Sequence, residues 1–277
     1  MGHPHRRRRG QVAARRLRRV PHRRTARALR RPRRRTFRTA GTTRAAGGDL
    51  VKVKICGVTT PADARLAVDL GADFIGLNFY RPSPRWIDVD EAAHIRRRVG
   101  DRARTVGIFV DPTREELETI DRKVGLDYIQ FSGDESPELV AEFSDRAIRV
   151  RRVGGAATPA AIPDEDCLAI RDDCSAIWDD CWAVLIDRAH DRLYGGSGES
   201  WDYAAAADLV RTPDGEREPR RVFIAGGVRP GNVAAVAAAV PGAYAVDTCS
   251  GVEAAPGRKD RAKLERLFAN LRAGAAR

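Results

Sequence analysis

The sequence predicts an α/β fold with a parallel sheet of eight strands, and three observations carry that expectation. The stretch from Val51 to Leu77 reads as strand, turn, helix and strand, the unit from which parallel sheets are built. The same alternation recurs until eight strand-like segments have been passed. The 227 residues from Val51 onward approach the roughly 250 of a typical eight-stranded α/β barrel, enough for one large core. Pattern alone leaves an open doubly wound sheet as the alternative to a closed barrel.

The first strand alternates, with Val51, Val53 and Ile55 on one face and Lys52, Lys54 and Cys56 on the other. Gly57 breaks it, and Thr59 or Thr60 before Pro61 offers an N-cap with proline at the first helical position. Ala64, Ala67, Val68 and Leu70 supply an apolar helix face that Gly71 ends, and the run from Phe74 to Leu77 is the second strand. A helix is predicted from Asp88, a third strand over 105–110, and a third helix opened by Pro112-Thr113 and the glutamates that follow. The fourth strand is 128–131, with a helix from Ser136 to Phe143, and the fifth is the weaker 148–151. A fifth helix is placed within 163–180. Strands follow at 182–187, 221–225 and 244–247, with helices from about Trp201, over 232–240, and near 261–271.

Residues 1–50 stand apart. They hold eighteen Arg, no Lys and one acidic residue, Asp49, a net +17 where the whole chain carries +12, so the remainder is mildly acidic at −5. With few large apolar residues and mutually repelling charges, this Arg-rich extension is expected to be disordered. It reads as a non-specific binder of nucleic acid or another polyanion, as an organellar targeting peptide, or as an upstream in-frame extension without function. It has no serine and no apolar export core after its paired arginines, which favours the last reading. No stretch approaches the roughly 18 uninterrupted apolar residues of a membrane helix, so no membrane partner is expected.

The five cysteines, Cys56, Cys167, Cys174, Cys181 and Cys249, are odd in number and lack the close pairing of a zinc site, which suits a reducing compartment and no metal. The seven-residue spacing of Cys167, Cys174 and Cys181 is read as the buried face of a helix; no histidine lies nearby to make a metal stripe.

Four ordered segments carry a resemblance. Lys54-Ile55-Cys56-Gly57 with Asn78 to Arg85 (NFYRPSPR), Gln130 to Glu135 (QFSGDE), Leu185 to Gly198 (LIDRAHDRLYGGSG), and the AGGVRPGNV and VDTCSGVE stretches within 225–253 resemble phosphoribosylanthranilate isomerases. The resemblance runs from Val51 to the C-terminus and implies a (β/α)8 TIM barrel, with residues 51–277 as the isomerase domain and 1–50 as a disordered extension. It implies an Amadori rearrangement of N-(5-phosphoribosyl)anthranilate to 1-(2-carboxyphenylamino)-1-deoxyribulose 5-phosphate in L-tryptophan biosynthesis. No cofactor is implied, because the substrate's own iminium group is the electron sink. A cytoplasmic monomer or homodimer with a small-molecule substrate is expected, with nucleic acid held only non-specifically through the extension. A related sugar-phosphate isomerase on the same barrel, or a polyanion-binding protein acting through the extension, are the alternatives. The histidine-pathway relative would be expected to carry an aspartate where this chain has Cys56.

By the same resemblance, Asp187 is the acid that opens the sugar ring and Cys56 the base that removes the C2′ proton. They end the first and sixth strands, three steps apart around a ring of eight, so they can face one substrate from opposing sides. A free thiol near ~8.5 and a free carboxyl near ~3.9 are both unsuited to those roles at neutral pH. Lys54 on the face of Cys56 would favour a thiolate, and burial or a negative neighbour would hold a proton on Asp187. Arg85 matches the arginine that faces the anthranilate carboxylate and Gln130 another mouth residue. Gly226, Gly227, Ser250 and Gly251 form a phosphate cradle at the ends of strands seven and eight, since glycines let backbone N–H groups approach an anion. Asp247 contacts sugar hydroxyls or is structural. Ser132 stands where relatives often have His, and Cys249 where Ser is common.

Overall fold

The computed structural model describes residues 51–153, 181–188, 203–210 and 221–275. Eight parallel strands close in chain order: β1 (Lys52–Ile55), β2 (Phe74–Asn78), β3 (Arg104–Phe109), β4 (Tyr128–Phe131), β5 (Ala147–Val153), β6 (Ala183–Arg188), β7 (Val222–Ile224) and β8 (Ala245–Thr248). Strand β8 pairs with β1, setting Lys54 opposite Asp247 and Ile55 opposite Thr248. That pairing removes the open-sheet alternative.

Side chains alternate along each strand, so two cores form. Phe74, Val106, Ile148, Leu185, Phe223 and Ala245 fill the barrel itself, with Tyr128, Trp182 and Tyr244 packed against them. Some of their rings meet edge to face, as Phe74 and Phe223 do at 5.2 Å between centroids, and others are tilted. Val53, Ile55, Ile75, Leu77, Ile129, Val184, Ile186 and Val246 belong to the second core, between strands and helices. Continuing the inward rows by twos toward the strand ends, the positions turn polar: Lys54, then Gln130, Asp187 and Asp247. The polar face of β1 is thus the barrel lumen, and Lys54 is fully buried there.

The helices are α1 (Pro61–Leu70), α2 (Val89–Val99), α3 (Arg114–Val124), α4 (Pro137–Ala141), α5 (Ala207–Val210), α6 (Val233–Ala239) and α7 (Arg261–Ala275). Thr60, Asp88, Thr113 and Ser136 each cap one with a side-chain oxygen that accepts a backbone N–H. Gly71 ends α1 in the left-handed region at φ 113°. Helix α1 packs on α2, α2 on α3, and α6 on α7, while α7 returns to α1 and joins the end of the outer ring to its start.

Three elements differ from expectation. Strand β5 extends to Val153 because its ladder with β6 continues to Val153 opposite Arg188. The start of the helix expected from about Trp201 lies outside the described residues, and over Tyr203–Ala206 the chain is a 3₁₀ turn that leads into α5. After β8 the chain makes a 3₁₀ turn (Ser250–Val252) and an unforeseen hairpin of β9 (Glu253–Ala255) and β10 (Arg258–Lys259), turning at Pro256-Gly257 with Gly257 at φ 78°. The helix expected within 163–180, Cys167 and Cys174, residues 189–198 of the sixth-strand motif, and the extension lie outside the described residues. Cys181 is buried at the start of β6. Among the described residues no helix is long and apolar enough to cross a membrane.

The cap of α1 yields a direct stability test. The Thr60 hydroxyl accepts from Asp63 N at 3.1 Å, so Thr60→Ala should cost about 1 kcal/mol. Urea denaturation should show a lower midpoint with an unchanged slope.

Candidate active site

Strands β1 and β8 bring four side chains together where the barrel closes. Lys54 Nζ lies 3.0 Å from Asp247 Oδ1, with the two side chains 0% and 9% exposed. Burial would lower the lysine's pKa, but Asp247 and the neighbouring Cys56 outweigh it, and the ammonium is held firmly protonated. One residue beyond the strand, Cys56 N still donates to Thr248 O at 2.9 Å, which keeps Cys56 beside Cys249. Cys249 Sγ donates to Glu253 Oε1 at 3.9 Å; its thiol beside Cys56 favours the Cys56 thiolate, burial opposes ionisation, and the Lys54 charge favours it. The balance brings Cys56 down to about 7 and drives Cys249 well above the ordinary thiol range.

Asp187 ends β6 on the other side of the mouth, in register with Arg152 of β5. Burial raises its pKa, the Asp247 charge adds to that, and the N–H of Arg188 at 2.9 Å with Arg152 and Lys54 opposes it. The result is a carboxyl pushed up to about 6. Asp247 therefore sits between the two groups, paired to the lysine that favours the thiolate and repelling the second carboxylate.

The loop after β7 is shaped by side chains that take its carbonyls. Tyr203 donates its hydroxyl to Gly226 O, Asn232 Nδ2 to Gly227 O at 3.0 Å, and Thr248 Oγ1 to Val228 O at 2.6 Å. In a trans peptide the N–H points opposite to the C=O, so the N–H groups of Gly227 and Val228 face away from those partners. Among the described residues neither meets an acceptor. Gly226 and Gly227 hold φ of 81° and 72°, and a Cβ on Gly251 would fall 2.1 Å from Val228 O, so only glycine lets the β8 loop approach this closely. The four cradle residues are thus brought together at two touching loops.

Arg85 reaches the same mouth from the loop after β2, but its guanidinium is turned to Glu253. Gln130 is buried on β4 and donates through Nε2 to Ser132 Oγ at 3.1 Å, while its Oε1 is buried without a partner. The remainder of the QFSGDE segment is structural: Glu135 accepts from Gly133 N and Asp111 N and fixes the loop.

The family model described as N-(5′-phosphoribosyl)anthranilate (PRA) isomerase matches residues 53–270. The chain is 40% identical over 229 residues to the N-(5′-phosphoribosyl)anthranilate isomerase of Geobacter sp. (strain M21), covering 80% of this chain and 98% of that one. It belongs to the phosphoribosylanthranilate isomerase family. The crystal structure of the Thermus thermophilus phosphoribosyl anthranilate isomerase superposes with a TM-score of 0.64 at 33% identity, covering 80% of this chain and 99% of that one. A phosphoribosyl anthranilate isomerase in complex with reduced 1-(o-carboxyphenylamino)-1-deoxyribulose 5-phosphate superposes with a TM-score of 0.63 at 26% identity, over 81% and 100% of the two chains.

Within this isomerase fold, sequence reasoning passed over Glu253 and Lys259, and treated Cys249 only as a departure from the family. Glu253 ends the SGVE stretch, in which Ser250 and Gly251 are the residues that signal an anion cradle. The Pro256-Gly257 turn signal, with Lys259 six residues after Glu253, was the available clue that the two return side by side.

The thiol pair can be tested without turnover. Alkylation of Cys56 by iodoacetamide, followed by mass spectrometry across pH, should have its midpoint near 7. Cys249→Ala removes the neighbouring thiol and should move that midpoint upward; an unmoved midpoint would remove Cys249 as the cause.

Proposed function

We propose that this chain converts N-(5-phosphoribosyl)anthranilate to 1-(2-carboxyphenylamino)-1-deoxyribulose 5-phosphate, with Asp187 as acid and Cys56 as base. Protonated Asp187 donates to the furanose ring oxygen, the C1′–O bond breaks, and the anilino nitrogen takes up the cation as an iminium. The Cys56 thiolate removes the C2′ proton, and the C–H electrons flow into the iminium to give an enaminol that tautomerises to the aminoketose. The observation that carries this reading is the convergence of two acidities on opposing strands: a thiol drawn down to about 7 and a carboxyl pushed up to about 6, each in the direction its role needs.

The other assignments follow the two anionic ends of the substrate. The phosphate rests on the backbone of Gly226, Gly227, Ser250 and Gly251, which the unmatched N–H groups of Gly227 and Val228 support. Arg85 takes the anthranilate carboxylate. Gln130 meets the substrate through its unpaired amide oxygen, and Asp247, besides holding Lys54, borders the sugar. The isomerase domain spans 51–277, acts in the cytoplasm as a monomer or homodimer, and works without the extension.

Complementation of a tryptophan auxotroph lacking this isomerase tests the whole reading. Cys56→Ala and Asp187→Asn should each lower kcat by roughly 10² to 10⁴ with the fold intact by circular dichroism. For wild type, kcat/KM should be bell-shaped with its maximum between pH 6 and 7. The thiol protonates as pH falls through its range, and Asp187 loses its proton as pH rises through its own. Only about one molecule in twenty would hold both groups correctly at the maximum, since the base titrates above the acid.

Truncation addresses the extension. Residues 51–277 behind a new start should keep kcat/KM within about twofold of the full chain. The full chain should bind DNA weakly, without sequence preference, and lose that binding steeply between two salt concentrations, while the −5 body should not bind. A folded truncation without turnover would overturn the domain boundary.

A further inference from the structure

The hairpin after β8 holds a buried carboxylate, Glu253, whose partners come from three places: Arg85 from the loop after β2, Cys249 just after β8, whose Sγ donates to Oε1 at 3.9 Å, and Gly257 and Lys259 from the hairpin itself. Arg85 donates side-on to Glu253, with Nε at 3.0 Å from Oε1 and 3.2 Å from Oε2, and Nη2 at 2.8 Å from Oε2. Lys259 Nζ lies 2.9 Å from Oε1, and Gly257 N donates to Oε1 at 3.2 Å. Burial would raise the pKa of Glu253, but Arg85 and Lys259 together hold it below the usual carboxylate range.

The hairpin itself is fastened from outside. Lys263 Nζ donates to Glu253 O at 2.6 Å, Thr59 Oγ1 to Gly257 O at 2.6 Å, and Lys259 N to Asp63 Oδ2 at 3.1 Å. The stem of Arg85 lies against Gly57, where a Cβ would fall 2.6 Å from Cδ, so the guanidinium is carried next to Cys56.

We infer that Glu253 is a positioning residue: it fixes the guanidinium of Arg85 so that its free edge is presented to the substrate's aryl carboxylate. The inference rests on the reading of Arg85 as the carboxylate-binding residue. A guanidinium has five N–H donors in a planar fork, and the side-on contact uses the Nε–Nη2 edge. The Nη1–Nη2 edge remains, with the geometry for a second bidentate carboxylate. Charge agrees with geometry. Two cations share one anion, so the cluster keeps one net positive charge for an anionic ring substituent. A long arginine would otherwise lose its rotamer freedom on binding; here it is already ordered.

The test separates position from charge by shortening the carboxylate without removing it. Glu253→Asp, Arg85→Ala and the double variant are compared with wild type for KM and kcat on phosphoribosylanthranilate, and by calorimetry for Kd of the reduced carboxyphenylamino product analogue. Glu253→Asp should raise KM and Kd about tenfold with kcat within about twofold, and should lose most of the preference for that analogue over its phenylamino counterpart without the carboxylate. In the double variant the Glu253→Asp change should add nothing to Arg85→Ala, because Glu253 acts through Arg85. A fall in melting temperature with unchanged KM and Kd, or fully additive losses, would make Glu253 merely structural and overturn the inference. If Glu253→Asp does not fold, the ¹⁵N spectrum of the wild-type guanidinium decides. The Arg85 Nε–H should stay slow in exchange and shift little when the analogue saturates the site, and a large Nε shift would mean that Arg85 leaves Glu253 to bind. Absence of wild-type turnover would instead fail the reading of the reaction, and the calorimetric comparison would still judge the clamp.

Discussion

The Lys54–Asp247 ion pair spans the seam where the first strand meets the last, and the electrostatics of the barrel mouth depend on it. The two residues are opposite one another in the β1–β8 ladder and 3.0 Å apart in the lumen, with the lysine wholly buried. Two charges taken out of water cost several kcal/mol each, repaid only by close mutual geometry, so the pair is weak evidence for stability by itself. Its value lies in what a fixed dipole does to its neighbours. The positive end lies near Cys56 and lowers its pKa; the negative end lies near Asp187 and raises its pKa. Losing either partner would strand a buried charge and let the acidities of Cys56 and Asp187 move back apart.

The same logic explains why the inner core is divided along the barrel axis. The lower layers are aromatic and aliphatic, and exclude water beneath the polar ring. Dry protein under one side of an ion pair strengthens its field across the mouth relative to a solvent-bathed surface pair. Cys56, Asp187 and Asp247 can therefore influence one another through protein, and the packing of Phe74, Phe223 and Leu185 below them is part of the electrostatics above.

Most of the architecture was legible because it rests on local rules. Strand periodicity put Lys54 and Cys56 on one face without saying which face is the lumen, and Thr59 or Thr60, Asp88 and Ser136 marked where helices begin, with Thr60 the cap the structure shows. The residues at strand ends were legible through ordered motifs, since a barrel gathers those ends at one face. What escaped was what long-range contact decides. Glu253 looks like the tail of a glycine motif until a hairpin folds it against an arginine 168 residues away in sequence. Cys249 looks like a neutral exchange until the β8–β1 register sets it beside Cys56. The length of β5 is fixed by its partner β6 and not by its own weak apolar pattern. Periodicity reports which face is buried, not which side chain from another strand will meet it.

The two ends of the site solve the same problem by different means, and the reason is charge economy. The body carries a net −5, while the proposed substrate is anionic at both its phosphate and its carboxylate. At the proposed phosphate end the carbonyls of Gly226, Gly227 and Val228 are bound by Tyr203, Asn232 and Thr248, which leaves backbone N–H dipoles forward without burying another cation. At the proposed carboxylate end a planar acid needs a planar fork, which the Arg85 guanidinium would supply, and Glu253 offsets one of the two cations, Arg85 and Lys259, so that the cluster keeps a single positive charge. A second uncompensated cation there would lie close to Cys56 and lower its pKa further, making the thiolate more abundant but a weaker proton acceptor. Binding strength and basicity pull against each other at this end of the mouth, and Glu253 sits where the two are balanced.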